Sequence, residues 1–318
     1  MKFTTAALKD ICRIDRRFQI SPLIQIDSLL FSIGKSGVLN PPVLVRRDGK
    51  DILLSGWKRI RASEKLGLQR IPVFKYQEPS DLKAFEIPVY ENLSIRGYTP
   101  VEKTLIIRKF KEFGADQATM IRKYLTLLNL PPKPEILEDC LRISSFDDRI
   151  KKTAFKEDFS FPVLQKLMGF EPAERTRLVP VLRGLSKNSR IEVLENIHDI
   201  MGRENTGLKE IFQALGIFQI LDSQKLSIPQ KAENIRKIVR QKRYPALSTR
   251  KQKVEAVLST LGLPENIAVL TPRNFEKEGF SLQMRCRTPE QLEKNIKEIN
   301  QIARGKGISI LFDVLSDD

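Results

Sequence analysis

The chain has 318 residues, too many for one ordinary hydrophobic core, so two or three domains are expected. Hydrophobic residues make up 41% of the sequence, as in folded domains, and no apolar run approaches the ~18 residues of a membrane span. A single histidine, His198, and three scattered cysteines exclude most histidine-based metal sites, Ser-His-Asp chemistry and a disulfide framework. A cytoplasmic protein is therefore predicted.

The charge balance points to a polyanionic partner. The sequence contains 55 Lys and Arg against 39 Asp and Glu, a net charge of +16. Basic side chains that neutralise phosphates release counterions, which favours binding to nucleic acids. A membrane surface is the other common polyanion, but no strongly amphipathic terminal helix with an aromatic face is present. DNA is therefore the favoured partner, and RNA stays open on charge alone.

Residues 1–98 are predicted to form a small α/β module. Ser21 followed by Pro22 is typical of a helix start, and apolar residues at helical spacing continue to Gly37. Asp48-Gly49 separates two short apolar runs and predicts a β-hairpin. The predicted elements are the hairpin strands 43–45 and 52–54, a helix at 57–66 and an edge strand at 71–74, where proline removes a backbone donor.

From residue 99 the pattern becomes helical. Thr99-Pro100-Val101-Glu102 is a capping box, and helices are predicted through a middle domain at 99–205 and a basic segment at 206–262. In the last part, 263–318, alternating residues predict a strand near 280–287, a second capping box at Thr288 starts a helix, and 308–314 is predicted to be a closing strand. The predicted fold class is α+β and mostly helical, with an α/β module first and a small β-α-β domain last.

The most informative segment is 53–62, in which a strand leads through Gly56 directly into a helix with a basic first turn. A helix N-terminus presents unpaired N–H groups and partial positive charge, so phosphate binds there readily. Lys58, Arg59 and Arg61 would add charge-assisted hydrogen bonds. Basic residues oppose the helix dipole at this end, a local cost that a bound anion would offset. A solvated basic helix start is the alternative interpretation.

Three motifs in order resemble the ParB/sulfiredoxin-like superfamily. Residues 56–62, followed by Gly67 and 71–73, are similar to its G-x-R-R-x-R-A…G…I-P-V segment. Upstream, 32–41 is similar to its S-I…G-[LIV]-x-Q-P segment. Downstream, 91–93 with 99–102 is similar to its E-N-L-Q-R…N-P-x-E segment. The resemblance covers about ninety residues and is specific because the motifs keep their order.

The resemblance implies that residues 1–98 bind CTP with magnesium, as ParB proteins do while they close as dimeric clamps on DNA and slowly hydrolyse the nucleotide. Glu91 is the implied hydrolytic residue, and Glu91 with Asn92 would lie beside the metal. The implied nucleotide-binding residues are Gly37, Asn40, Gly56, Lys58, Arg59, Arg61, Asn92 and Arg96. Two positions depart from the pattern: Lys58 replaces an arginine, and the arginine of the third motif falls on Ile95, with Arg96 one position later.

Residues 120–167 are similar in spacing to the ParB helix-turn-helix and the helices after it. The helix at 135–142 takes the place of the recognition helix, but Glu135, Glu138 and Asp139 would face DNA phosphates there. We therefore expect this helix to pack against its neighbours rather than to read bases.

The basic segment offers a better electrostatic candidate. Arg236, Arg240 and Arg243 are spaced four and three apart, which puts them on one face of a helix, and Lys237 and Lys242 accompany them. Contact with the backbone of double-stranded DNA is the preferred interpretation, and a solvated helix face is the alternative.

The end domain at 263–318 resembles the ParB dimerisation domain, which implies a homodimer. The predicted function is a ParB-like DNA-binding protein of chromosome or plasmid partition or nucleoid organisation, associated with the nucleoid and acting as a CTP-dependent clamp. A ParA-like ATPase is a partner by resemblance only. The alternatives are a transcription regulator or scaffold with a degenerate nucleotide site, and a small-molecule kinase of the same superfamily. Sulfiredoxin activity is not expected, because no cysteine lies between Cys12 and Cys140.

Overall fold

The computed structural model describes residues 1–22, 26–78, 80–272 and 279–316. They form two compact units. Unit 1 comprises Met1–Glu195 with Phe218–Ala232, and unit 2 comprises Asn196–Ile217 with Glu233–Asp318. The predicted class, α+β and mostly helical, is confirmed. The four-segment division with boundaries at 98, 205 and 262 stays a prediction.

A five-stranded mixed sheet forms the start of unit 1. Its order is β1-β5-β3-β4-β2, where β1 is Lys2–Ala7, β2 is Ile11–Cys12, β3 is Val43–Arg47, β4 is Lys50–Ser55 and β5 is Arg70–Tyr76. Strands β3 and β4 form the predicted hairpin, with Asp48 and Gly49 at φ 50° and 75°. The edge position predicted for β5 is wrong, because the unpredicted β1 pairs with it antiparallel. Pro72 lies outside the stretch of β5 that pairs with β3, so its missing N–H removes no bond between those strands.

Helices cover the sheet and continue beyond it. In the order of the chain they are α1 Asp27–Ser36, α2 Trp57–Lys65, α3 Asp81–Ile95, α4 Pro100–Glu112, α5 Gln117–Thr119, a π-helical turn Met120–Leu125, α6 Pro134–Ser144, α7 Asp148–Lys156, α8 Phe161–Leu167 and α9 Pro172–Leu182. The capping box predicted at Thr99 is present at the start of α4. The helix start predicted at Ser21-Pro22 is wrong: α1 begins at Asp27, and residues 23–25 lie outside the described part of the chain.

The side chains of β4 alternate between two hydrophobic cores, one on each face of the sheet, because successive residues of a strand point to opposite faces. Ile52 and Leu54 of β4 pack with aromatic side chains of α3 and α4, whereas Leu53 packs with Ile60 of α2. In the first core the rings of Phe110 and Tyr124 stack with their centroids 3.6 Å apart. Helices α2 and α3 therefore lie against opposite faces of β4, whose end carries the site described below.

The remaining elements are mostly helical. They are α10 Lys187–Glu204, α11 Leu208–Ala214, α12 Ile217–Asp222, α13 Ile228–Arg243, α14 Pro245–Thr260, the antiparallel strands β6 Ile267–Leu270 and β7 Ser281–Met284, α15 Pro289–Ala303 and α16 Lys306–Ser316. No helix in the described residues is long and apolar enough to cross a membrane.

The closing strand predicted at 308–314 is wrong, and the β-α-β pattern of the end domain is a hairpin followed by two helices. Helix α16 replaces the strand, with Leu311 and Leu315 buried against Val254 of α14. Apolar residues at 308, 310, 312 and 314 fit a strand period, but the chain buries 311 and 315, with 308 and 314 partly buried beside them, while 310 and 312 stay exposed. This is a helical pattern, and it follows from packing on the helix α14 rather than on a sheet edge.

We predict that Leu311→Ala and Leu315→Ala each destabilise unit 2 by about 2–5 kcal/mol, the usual cost of truncating a buried leucine. Ile310→Ala is the control, because Ile310 is 48% exposed while Leu311 is fully buried. Hydrogen exchange of the α14 and α16 amides measures the effect. Equal destabilisation by Ile310→Ala and Leu311→Ala would contradict the helical assignment.

Candidate functional site

The junction between β4 and α2 is a tight turn that only glycine fits. Gly56 has φ 99° and ψ 22°, in the left-handed region, and immediately precedes the first residue of α2. A Cβ atom at this position would lie 2.8 Å from Cβ and 2.9 Å from Cα of Pro42. The first turn of α2 contains no acidic residue. The free N–H groups of α2 and the basic side chains of its first turn therefore lie together at the end of β4, with no acidic residue in that turn to offset their positive charge.

Arg59 of α2 is held in place by three acceptors. Its Nη1 donates to the carbonyl oxygen of Asn40 at 2.7 Å and to that of Pro41 at 3.3 Å, and its Nη2 lies 3.0 Å from Oε1 of Glu91 on α3. The other carboxylate oxygen of Glu91 accepts a hydrogen bond from Ser55 at the end of β4. The Arg59–Glu91 pair thus joins the sheet, the loop before β3 and α3.

The last turns of α3 are shaped by a proline inside the helix. The carbonyl oxygen of Pro88 accepts bonds from Nδ2 of Asn92 at 2.7 Å and from the Tyr98 hydroxyl at 3.1 Å. Burial raises the pKa of Tyr98, so its hydroxyl stays protonated and acts as a donor at neutral pH. Tyr98 also donates to the carbonyl oxygen of Val89 at 3.2 Å. These bonds fix the direction in which the chain leaves α3.

Arg96, at the end of α3, forms a two-bond ion pair with Glu102 of α4. Nη1 lies 2.9 Å from Oε2 and Nη2 lies 2.7 Å from Oε1. The Glu102 side chain is fully buried and also accepts bonds from the Ser21 hydroxyl and the Thr99 amide. Burial alone raises the pKa of Glu102, but bonds from Arg96, Ser21 and Thr99 outweigh it and hold the pKa below its ordinary value. The carboxylate is therefore ionised at neutral pH.

These groups surround a cleft of about 250 Å³ in unit 1. Gly56, Lys58, Arg59, Asn92 and Arg96, all predicted from the resemblance, line it. The remaining lining residues were not predicted: Phe18, Gln19, Ile20, Ser21, Leu29, Leu54, Ser55, Trp57, Pro88 and Tyr98. Segment 18–21 is far from the motifs in sequence, and only the fold brings it to the cleft.

Four other predicted residues do not line this cleft. Asn40 contributes its backbone oxygen to Arg59, and Glu91 stands behind Arg59 and Ser55. Gly37 and Arg61 are exposed and are not among the lining residues. The resemblance treated the three basic residues of α2 as one set, but only Lys58 and Arg59 line the cleft. Arg61 lies about 160° around the helix from Arg59, because each position rotates the side chain by about 100°.

Glu91 and Asn92 were predicted to lie beside a metal. Both oxygens of Glu91 are bonded, one to Arg59 and one to Ser55, and Nδ2 of Asn92 donates to the backbone. Within the described part of the chain, no three Asp, Glu, His or Cys residues cluster as metal ligands. Magnesium commonly takes only one or two carboxylates and otherwise binds water and phosphate oxygens. In this arrangement Glu91 fits an anchor for Arg59 and does not fit a resident magnesium ligand.

A second candidate surface lies in unit 2. Arg236, Lys237 and Arg240 of α13 line a groove of about 630 Å³ with Lys251 of α14, opposed by the acids Glu233 and Glu255. Arg236 pairs with Glu233 at 2.9 Å. The groove therefore carries four cations against two carboxylates, a surplus that suits a phosphate backbone.

The other two predicted DNA-binding residues face acidic side chains. Arg243 lies 3.0 Å from Asp199, and Lys242 lies 2.9 Å from Glu204. Arg203 donates to the backbone oxygens of both Lys242 and Arg243, so it caps the end of α13. The five predicted residues thus divide into a groove-lining set and a pair that anchors the helix end.

Helix α6, in the recognition-helix place, buries Leu137, Cys140 and Ile143. Glu135 and Glu138 are exposed, and Asp139 accepts a bond from Gln165 at 2.7 Å. Its outward face is therefore acidic in its first two turns, as expected for a helix that packs rather than reads bases.

We predict that Gly56→Ala destabilises unit 1 by more than Gly67→Ala. Both glycines have positive φ, 99° and 71°, but a Cβ at Gly67 has no atom within 4 Å. The shared backbone cost is about 1–2 kcal/mol, and the contact with Pro42 adds about 1–3 kcal/mol. Urea unfolding followed by circular dichroism measures the difference. Equal losses would mean that the approach to Pro42 relaxes freely.

The chain is similar to proteins of known role, although no family model matches it. A probable chromosome-partitioning protein ParB from Borreliella burgdorferi is 25% identical over 158 residues, which cover 48% of this chain and 56% of that protein. A nucleoid occlusion protein from Halalkalibacterium halodurans is 26% identical over 210 residues, which cover 56% of this chain and 74% of that protein. The chain thus spans about half the length of the first relative and about three quarters of the second.

Among solved structures, a C-terminally truncated chromosome-partitioning protein ParB from Caulobacter crescentus, complexed with CTP-gamma-S, aligns at 17% sequence identity with a TM-score of 0.28. That alignment covers 56% of this chain and 99% of the other. A TM-score at this level does not equate two folds, so the assignment depends on the curated relatives and the ordered motifs around Gly56, Glu91 and Thr99. The curated relatives and these motifs support a ParB-family protein.

Proposed function

We propose that this protein is a DNA-associated nucleotide switch of the partition type, in which the cleft of unit 1 binds CTP and the basic groove of unit 2 binds the DNA backbone. It would act in the cytoplasm, at the nucleoid. The observation that carries the proposal is the convergence of Arg59, Arg96 and the N-terminus of α2 on one cleft. Three sources of positive charge in a partly enclosed space suit a polyphosphate.

Lys58 and Arg59 are adjacent on α2 but play different parts in this proposal. Lys58 is exposed and strongly hydrated, so it would contribute as a point charge. Arg59 is half-buried and already oriented by Asn40, Pro41 and Glu91. An oriented guanidinium loses less freedom on binding phosphate, so we assign Arg59 the larger share of the affinity.

The cleft supplies a spectroscopic reporter. Trp57 is the single tryptophan of the chain, and it lines the cleft next to Gly56. A ligand that enters the cleft changes the surroundings of its indole ring. Intrinsic fluorescence therefore reports binding without a label.

We predict that Arg59→Ala weakens CTP binding about 10-fold to 100-fold, the equivalent of one lost charge-assisted hydrogen bond. Arg61→Ala is the matched control: it removes the same charge from the same helix but at an exposed position outside the cleft. Fluorescence titration of Trp57 with CTP and magnesium measures both, and calorimetry confirms the stoichiometry.

The same titration decides between the switch and its alternatives. If wild type binds CTP and the two variants differ as stated, the cleft is a working nucleotide site. Equal losses of CTP affinity in the two variants would indicate that the phosphates bind on the exposed face of α2 rather than in the cleft. If wild type ignores CTP, the module is a scaffold with a degenerate site.

For DNA, the groove of unit 2 is the proposed contact, because it gathers Arg236, Lys237, Arg240 and Lys251 on adjacent helices. Lys242 and Arg243 are proposed to support the helix end through their acidic partners instead. Contact with backbone phosphates is consistent with a groove that offers charge but few side chains suited to reading base edges.

We predict that Arg236→Glu with Arg240→Glu weakens binding to double-stranded DNA and lowers the slope of log affinity against log salt by about 2. Lys187→Glu with Lys225→Glu, two positions of unit 1 with exposed side chains, gives the same change in net charge. Fluorescence anisotropy with a labelled duplex across salt concentrations measures the slopes. The groove is not the contact surface if both double variants lower the slope equally.

A homodimer through 263–318 is also proposed. Leu282 of β7 with Leu292 and Ile296 of α15 are 43%, 44% and 46% exposed. Apolar side chains exposed on neighbouring elements are typical of a surface that a partner covers. A second copy of this chain is the occupant that the resemblance to the ParB end domain implies. A ParA-like ATPase stays an expectation from the same resemblance.

A further inference from the structure

We infer that Glu102 is the positioning residue of the cleft: its buried carboxylate holds Arg96 so that one edge of the guanidinium is presented to the phosphates of a nucleotide. This inference rests on the proposed nucleotide site. Glu102 itself does not line the cleft, so it would act only through Arg96.

The geometry divides the guanidinium of Arg96 into two edges. Nη1 and Nη2 form the fork that grips Glu102, and Nη1 also donates to the carbonyl oxygen of Gly97 at 3.0 Å. Within the described residues, Nε and the second N–H of Nη2 have no acceptor. These two donors lie on the same edge of the planar group and match a phosphate in bidentate geometry.

Arg96 needs such a support because its side chain is 39% exposed, at the end of a helix. A free arginine at this place would sample many rotamers and would lose that freedom when it bound a phosphate. Two bonds to a fully buried carboxylate, with the guanidinium 5.4 Å from the centroid of the Tyr98 ring, restrict it beforehand. This support is what places a guanidinium in the cleft although the arginine falls one position later than the motif expects.

Glu102 is itself fixed from two sides. The Thr99 amide donates to Oε2 at 3.0 Å, and the Ser21 hydroxyl donates to Oε1. Ser21 and Arg96 both line the cleft, on segments 75 residues apart in the chain. One carboxylate therefore sets the positions of two walls of the cleft.

Two possible roles of Glu102, counter-charge and positioning residue, have opposite effects on the affinity for CTP, which makes the inference testable. A negative charge beside Arg96 lowers the positive potential that attracts a triphosphate. If Glu102 acted only as a counter-charge, its neutralisation would tighten CTP binding. If it positions Arg96, neutralisation weakens binding because the guanidinium is no longer held.

The experiment uses the full chain with Glu102→Gln, which keeps the side-chain shape and still accepts from the Thr99 amide but loses the ion pair. We expect CTP, with magnesium, to bind about 5-fold to 10-fold more weakly, as for one flexible side chain that is no longer preorganised. Cytidine monophosphate is the second probe, and we expect a smaller loss for it because it offers fewer phosphates. Arg96→Ala should lower the ratio of CTP affinity to monophosphate affinity by about as much as Glu102→Gln does. The double variant Glu102→Gln/Arg96→Ala should lose little more CTP affinity than Arg96→Ala alone.

Ser80→Ala is the structural control. It removes the side chain that caps the start of α3 by accepting from the Lys83 amide and lowers the melting temperature, but Ser80 does not line the cleft, so the two affinities stay unchanged. Unchanged or tighter CTP binding by Glu102→Gln overturns the inference, as does a loss of the same size for Ser80→Ala. A wild-type chain that binds no CTP overturns the proposed nucleotide site, and this inference falls with it.

Discussion

A buried charge must be paired, and unit 1 is arranged around that requirement. Taking a carboxylate out of water costs several kcal/mol unless strong donors surround it. Glu102 is surrounded by the Arg96 guanidinium and the Thr99 amide of the α3–α4 connection and by the Ser21 hydroxyl from the segment before α1. The ends of α3 and α4 and the segment before α1 are therefore fixed relative to one another. The cleft lies where these segments meet.

Glu91, which is half-buried and stands behind the cleft, ties together a second group of elements. It receives Arg59 from α2 and Ser55 from β4, so the first turn of α2 is tied to α3 across the sheet. Gly56 makes this possible because the backbone passes close to Pro42, where a side chain has no room. Conformational freedom at one residue and two ion pairs together decide the shape of a site of about 250 Å³.

Basic side chains have different roles in the two units, which the net charge of +16 does not reveal. In unit 1, Arg190 donates to the carbonyl oxygen of Leu182 and lies over the ring of Phe159, and Arg175 donates to the carbonyl oxygen of Leu167, so both guanidinium groups support the fold. Helix α6 turns carboxylates outward. In unit 2, α13 and α14 gather cations along one groove. A count of charges predicts a polyanionic partner, but only the fold tells structural arginines from those that line a groove.

The sequence alone determined the features that depend on neighbouring residues. The β3–β4 hairpin follows from Asp48-Gly49, the start of α4 from its capping box, and the strand-glycine-helix turn at Gly56 from local backbone preferences. These signals are local, so an isolated sequence carries them. The helical character of 99–262 was equally readable from its periodicity.

Tertiary structure decided the rest, because it depends on partners distant in the chain. Strand β1 and the interior place of β5, between β1 and β3, are set by pairing, and α16 is a helix because it packs on α14, although its apolar residues also fit a strand. The cleft combines residues 18–21 with 54–59 and 88–98. The partners of Glu91 and Glu102, and the division of the basic residues on α13, exist only once these segments are brought together, since an ion pair depends on distance in space and not along the chain.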